Sequence, residues 1–147
     1  MEFSDVIKNR YSCKKFSSEQ IGKDKLDAIL EAGRVAPTAK NLQEQHIYVV
    51  QSESALETID KLTPCRYNAP TVLIVAFNKN NVFTYPGDKR NSGIEDATIV
   101  ATHLMLAACN EGVDSCWINF FNPDELAKAF NLPEDEEILM LLDLGIA

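Results

Sequence analysis

Residues Ile94 to Glu111 carry apolar side chains around most of a helical circumference. Ile94, Ala97, Ala101, Leu104, Met105 and Ala108 recur at helical spacing as one stripe, and Ile99, Val100, Leu106 and Ala107 fill much of the rest. Gly112 ends the helix. A helix that is apolar on nearly every side has to be buried on nearly every side. The chain has only 147 residues and 16.4 kDa, which is one domain with a core of limited depth. Little interior is available to hide this helix, so a second subunit is its natural cover.

The other segments alternate between helix and strand signals without a regular repeat. Ser4 is placed to cap a short helix over Asp5–Asn9. Lys23–Val35 reads as an amphipathic helix that Pro37 stops. His46–Gln51 is rich in β-branched and aromatic residues and reads as a strand. Ser54 and Glu57 form a capping-box pattern opening a helix to about Leu62. Thr71–Phe77 is a continuous apolar run, a strand covered on both faces. Asn78–Gly93 is polar and aperiodic, a long surface loop of the kind that is more often functional or mobile than inert. Ser115–Phe120 is another extended stretch. Asn122, Pro123 and Glu125 mark a strong helix start, and Glu137–Leu144 reads as the last strand. One α+β domain over residues 1–147 follows.

Composition excludes several classes. The net charge of -8 and pI near 4.7 disfavour nucleic acid as a partner. No apolar run reaches the roughly 20 residues of a membrane helix. The start, Met1-Glu2-Phe3-Ser4-Asp5, has no basic or apolar leader features, so a cytoplasmic protein is expected. Cys13, Cys65, Cys109 and Cys116 form no CxxC pair and read as reduced thiols; no metal site is expected. His46 and His103 lie in apolar surroundings and read as packed histidines rather than bases. GxGxxG, the P-loop pattern and the GxSxG elbow are all missing.

Four local constellations remain. Lys8, Arg10, Lys14 and Lys15 concentrate positive charge on an acidic chain, with the hydroxyl of Ser12 among them. An anion site and a solvated basic turn both fit that pattern. Ala36-Pro37-Thr38-Ala39-Lys40-Asn41-Leu42-Gln43 offers amides that match heterocycle edges, and equally has the composition of a turn. Glu95 and Asp96 open the long helix, where acids complement the helix dipole. Trp117, the single tryptophan, suits either the core or the wall of a flat pocket.

In this order the segments resemble the nitroreductase family of FMN-dependent oxidoreductases. Arg10-Tyr11-Ser12-Cys13-Lys14-Lys15-Phe16 is similar to the family's R-x-S-x-[RK]-x-F. Ala36-Pro37-Thr38-Ala39-Lys40-Asn41-Leu42-Gln43 is similar to its A-P-S-x-x-N-x-Q. Asp96-Ala97, Gly112 and Cys116-Trp117-Ile118 are similar to its later helix and C-W-I pattern. The resemblance covers essentially the whole chain. It implies an α+β sandwich with a central, mainly antiparallel sheet flanked by helices, assembled as an intertwined homodimer with FMN at the interface. Arg10, Tyr11, Ser12 and Lys14 would hold the cofactor from one subunit. Pro37, Thr38, Ala39 and Asn41 would approach it from the other, and Cys116–Asn119, including Trp117 and Ile118, would lie along one edge.

The activity so implied is transfer of electrons from NAD(P)H, through FMN, to an electron-poor small molecule such as a nitroaromatic or a quinone, by a ping-pong hydride route. No side chain serves as nucleophile or dedicated base. Lys14 would offset negative charge on the flavin, and Phe83 and Tyr85 in the Asn78–Gly93 loop would stack on the acceptor. Thr38 stands where Ser is usual, and Glu44-Gln45 replaces the common Pro-Trp. Family members usually continue past the final strand into an arm with a basic phosphate contact, whereas this sequence ends at Ala147; a short or truncated form, or weaker hold on FMN, would follow, with Arg66, Lys89 or Arg90 as candidates to compensate. The same residues also fit a flavin-binding or flavin-free dimeric scaffold, or other flavin chemistry such as dehalogenation.

Overall fold

A computed structural model describes residues 1–147. In chain order the elements are α1 (Phe3–Asn9), α2 (Lys23–Arg34), β1 (Gln45–Val50), α3 (Glu53–Leu62), β2 (Thr71–Asn78), α4 (Gly93–Asn110), β3 (Asp114–Ile118), α5 (Pro123–Ala129) and β4 (Glu136–Gly145). The four strands form one antiparallel sheet in the order β1-β2-β4-β3.

The apolar run of β2 needs cover on both faces and receives it: every residue from Thr71 to Phe77 is buried. Alternation then divides the core. Leu73 and Val75 of β2, with Met140, Leu142 and Leu144 of β4, pack with Ile29 of α2 and with Val100, Ala101 and Leu104 of α4. Val72, Ile74 and Ala76 face the other way, with Ile59 of α3 and Leu126 of α5. Ile138 and Met140 are two apart yet serve opposite layers. A bulge opposite Val75 and Ala76 inserts one residue into β4 and flips the parity.

Helix starts differ from the sequence reading in two places. Ser4 lies inside α1, whose cap is Glu2 with no side-chain bond. Ser52, not Ser54, caps α3, with its hydroxyl accepting from the Ala55 N–H at 3.3 Å. Its extended backbone orients the hydroxyl toward the helix two residues before the pattern at Ser54 could act. Asn122 caps α5 as expected, accepting from the N–H groups of Asp124 and Glu125.

The sheet buries only one side of α4. Ala97, Val100, Ala101, Leu104 and Ala108 are interior, but Ile94 of the expected stripe is 59% exposed and Ile99 36%. Beside them Phe3 and Ile7 of α1 are exposed as well. Between α1 and α4 runs a groove of about 590 Å³ lined by Phe3, Val6, Ile99 and Leu106. Half-buried His103 also lines it, so this histidine is not packed in the interior. Apolar surface of this kind is rarely left open on a monomer.

Gly145 shows where the N-terminal segment is locked down. A Cβ there would lie 2.8 Å from Pro70 Cδ and 2.9 Å from Phe16 Cδ1. Both neighbours are rigid rings, so Gly145→Ala overpacks this seam. The expected cost is about 1–3 kcal/mol, read as a Tm lower by several degrees in thermal unfolding.

Candidate functional site

After α1 the chain turns extended at Arg10 and runs beside β3. Ser12 bridges to Ser115 in parallel, and the Cys13 N–H donates to the Ser115 carbonyl at 2.8 Å. Cys13 and Phe16 point into the core. Alternation therefore turns Ser12 and Lys14 outward, where both are exposed. They line a cavity of about 350 Å³ whose other walls include Cys65, Tyr67, Trp117 and Ile118. Trp117 is half-buried against the core that contains α4. Its indole N–H donates to Asn119 Oδ1 at 2.9 Å, which fixes the ring at the cavity edge. Arg10 and Tyr11 border a separate gap of about 20 Å³ with Cys109, Asp114 and Ser115.

Charge is available in this corner. The ion pairs of the chain are Lys23–Asp27, Arg34–Glu31, His46–Glu136 and Arg66–Asp60, so Lys8, Arg10, Lys14 and Lys15 are all unpaired. The substitutes considered for a phosphate contact are engaged elsewhere in two cases. Arg66 forks onto Asp60 and donates to the Ala69 carbonyl. Arg90 lies 4.2 Å over the Tyr85 ring.

The second set of residues is built differently. Lys40, Asn41 and Gln43 all have left-handed φ, at 54°, 54° and 51°. Each non-glycine residue in that region is unfavourable by about 1 kcal/mol or more, so the turn needs fastening. Thr38 Oγ1 accepts from the Gln43 N–H at 3.0 Å. Asp96 Oδ1 accepts from the Ala39 N–H at 3.0 Å. Asp96 is thus a buried tether rather than a simple dipole partner, and Glu95 accepts from the Tyr85 hydroxyl. Pro37 and Asn41 are exposed, Thr38 and Ala39 half-buried.

One chain does not bring the two sets together. The turn is tied to α4 at Asp96, whereas Arg10 borders the same gap as Cys109 near the far end. Thirteen residues of helix separate these points, about 20 Å. No residue of the turn lines the Ser12–Lys14 cavity.

The Asn78–Gly93 loop is more ordered than its composition indicates. Thr84 bridges Asn91 and the Tyr85 N–H donates to the Arg90 carbonyl at 2.8 Å, giving a small hairpin. Phe83 and Tyr85 pack edge to face at 5.3 Å. His46, read as a packed histidine, sits on edge strand β1 with its ring largely exposed and Nδ1 against Glu136, which also accepts from the Tyr48 hydroxyl.

The sequence model of the Nitroreductase family matches residues 7–66 and 64–146. The chain belongs to the nitroreductase family. This nitroreductase chain superposes on the crystal structure of a nitroreductase family protein from Clostridium difficile 630 with a TM-score of 0.95 and 34% identity, over 99% of this chain and 84% of that one. YodC of Bacillus subtilis, named provisionally as an NAD(P)H nitroreductase, is 28% identical over 97% of this chain and 88% of its own length. A protein of Exiguobacterium sibiricum solved in complex with FMN shares the fold at 22% identity and a TM-score of 0.85, over 100% of this chain and 89% of that one. The nitroreductase fold, an α+β arrangement around an antiparallel sheet, is therefore the fold of this chain. No helix is long and apolar enough to cross a membrane.

Sequence reasoning missed the fastening of the turn. Asp96 was visible only as an acid at a helix start, and Glu44 only as a departure from a motif. Their common burial depends on the sheet that brings Glu44 and α4 together.

Proposed function

We propose that the protein is a cytoplasmic, FMN-dependent oxidoreductase that carries electrons from NAD(P)H to an electron-poor small molecule, as a homodimer with two composite sites. The observation that carries this reading is that Ser12 and unpaired Lys14 open onto the cavity walled by Trp117 and Ile118, with unpaired Arg10 just before them in the chain. These residues fit FMN chemically: the unpaired cations Arg10 and Lys14 for a phosphate, a hydroxyl for the ribityl chain and apolar walls for a planar ring.

When bound, FMN supplies the hydride transfer. The protein binds and orients. Arg10 offers a two-pronged donor to phosphate oxygens, and exposed Tyr11 stands next to it in the chain. Ser12 donates to a hydroxyl. Lys14 places a positive charge where the pyrimidine edge is electron-rich. Trp117 and Ile118 exclude water from one edge. Pro37, Thr38, Ala39 and Asn41 belong to the partner's contribution. An antiparallel pairing of two α4 helices through their exposed apolar faces would bring the Asp96 end of one helix beside the Cys109 end of the other. The same pairing would cover Ile94, Ile99 and Phe3.

The absorbance spectrum of the purified protein tests the reading. Flavin bands that bleach on anaerobic addition of NADH or NADPH, and return with a nitroaromatic or quinone, are the expected result. Bands that no nicotinamide bleaches would make the protein a flavin binder. Failure to take up added FMN would leave only the scaffold.

A further inference from the structure

Glu44 directly follows the left-handed turn, in the place where the family motif has proline, and is 2% exposed. Asp96, at the start of α4, is 3% exposed. Glu44 Oε1, Glu44 Oε2 and Asp96 Oδ2 are buried without a hydrogen-bond partner. The two carboxyl groups are within hydrogen-bonding reach of each other. Two adjacent carboxylates with too few donors are strongly unfavourable in an interior, whereas one proton between them converts repulsion into a charge-assisted bond.

We propose that Glu44 and Asp96 share one proton, with Glu44 donating to Asp96, and that this pair positions the Pro37–Gln43 turn for the flavin. The inference rests on the functional reading above and deepens it. Asp96 is the member that grips the turn, through the Ala39 N–H. Glu44 acts through Asp96 and is a positioning residue. Burial pushes the Glu44 carboxyl up to about 7, with Asp96 raising it further and its own backbone N–H opposing. Asp96 on α4 is the charged group facing it. From β2 it meets the uncharged backbone of Asn78, whose N–H donates to the Glu44 carbonyl at 2.9 Å, and Lys40 in the turn is exposed.

The sign follows from linkage. The closed turn holds a proton on Glu44 that an opened turn releases above the ordinary carboxylate range of about 4.3. Closure is therefore strongest at low pH and weakens as pH rises through about 7. Between pH 6 and 8 the opening equilibrium rises about tenfold.

Amide hydrogen exchange at Ala39 reads this directly, on the full chain without added flavin and corrected for intrinsic exchange. Wild type is expected to lose about tenfold protection between pH 6 and 8. Glu44→Gln keeps a donor to Asp96 and should be flat over that range. Asp96→Asn keeps Glu44 titratable in its buried place but lets an amide donate to the ionised carboxylate, so its slope should be smaller than that of wild type. A flat wild type overturns the proposal, as does a wild-type slope retained in Glu44→Gln or undiminished in Asp96→Asn. FMN added at pH 8 should slow exchange at Ala39. If it does not while the pH slope is present, the flavin reading and the positioning role fail, although the shared proton stands. If FMN protects Ala39 and the slope is missing, the shared proton fails alone.

Discussion

Asp143→Asn stabilises the protein at pH 8 by about 3 kcal/mol or more, and the gain disappears at pH 4. Asp143 is 1% exposed near the C-terminal end of β4, between Val72 of β2 and Cys116 of β3, and neither carboxyl oxygen has a hydrogen-bond partner. Burial pushes its carboxyl up to about 9; Arg66 opposes the rise, and Cys65 and Asp60 add to it. The folded state thus keeps a proton that the unfolded chain releases above about 4. The associated stability is fully present below pH 4 and is lost progressively as pH rises toward about 9. Asparagine has the same shape and never ionises. Urea unfolding of both proteins at pH 4 and pH 8 checks this. Parallel stability at the two pH values would show that Asp143 is ionised and paired in the fold.

The same residue shows the limit of what the sequence reveals. The strand containing Asp143 was legible from its apolar run, as was the burial of β2 on both faces. These elements follow from periodicity and β-branching, which are local. The capping role of Asn122 was also local. Asp143 was invisible as a buried acid because nothing along the chain shows that β2 and β3 flank it. Glu44 and Asp96 are 52 positions apart and meet only when the sheet has formed. The candidate site was half legible. Arg10, Ser12 and Lys14 stand out as cations and a hydroxyl on an acidic chain, and alternation along an extended segment places Ser12 and Lys14 on one side. Their assembly with Trp117 and Ile118 needs the parallel bridge from Ser12 to Ser115, which no spacing encodes. The apolar circumference of α4 pointed to a second subunit, and the exposed Ile94, Ile99 and Phe3 now mark the face where it would sit.

The central claim is that one flavin is held by Arg10 of one subunit and Asn41 of the other. Arg10→Ala removes a charge-assisted bond of about 1.5–3 kcal/mol, so FMN affinity should fall tenfold or more. Asn41→Ala should weaken binding as well, since its left-handed turn presents the side chain to solvent at the opposite end of α4. Each variant homodimer carries one lesion in each of its two sites. When the variants are mixed and allowed to exchange subunits, a heterodimer gathers both lesions into one site and leaves the other intact. Random exchange makes half the dimers mixed, so about one site in four recovers full affinity. Titration of the mixture with FMN, followed by flavin fluorescence, is the decisive measurement. The account predicts that a high-affinity phase reappears in the exchanged mixture and is missing from either variant alone. If subunit exchange is demonstrated and no such phase appears, Arg10 and Asn41 do not meet across an interface, and the composite site is wrong.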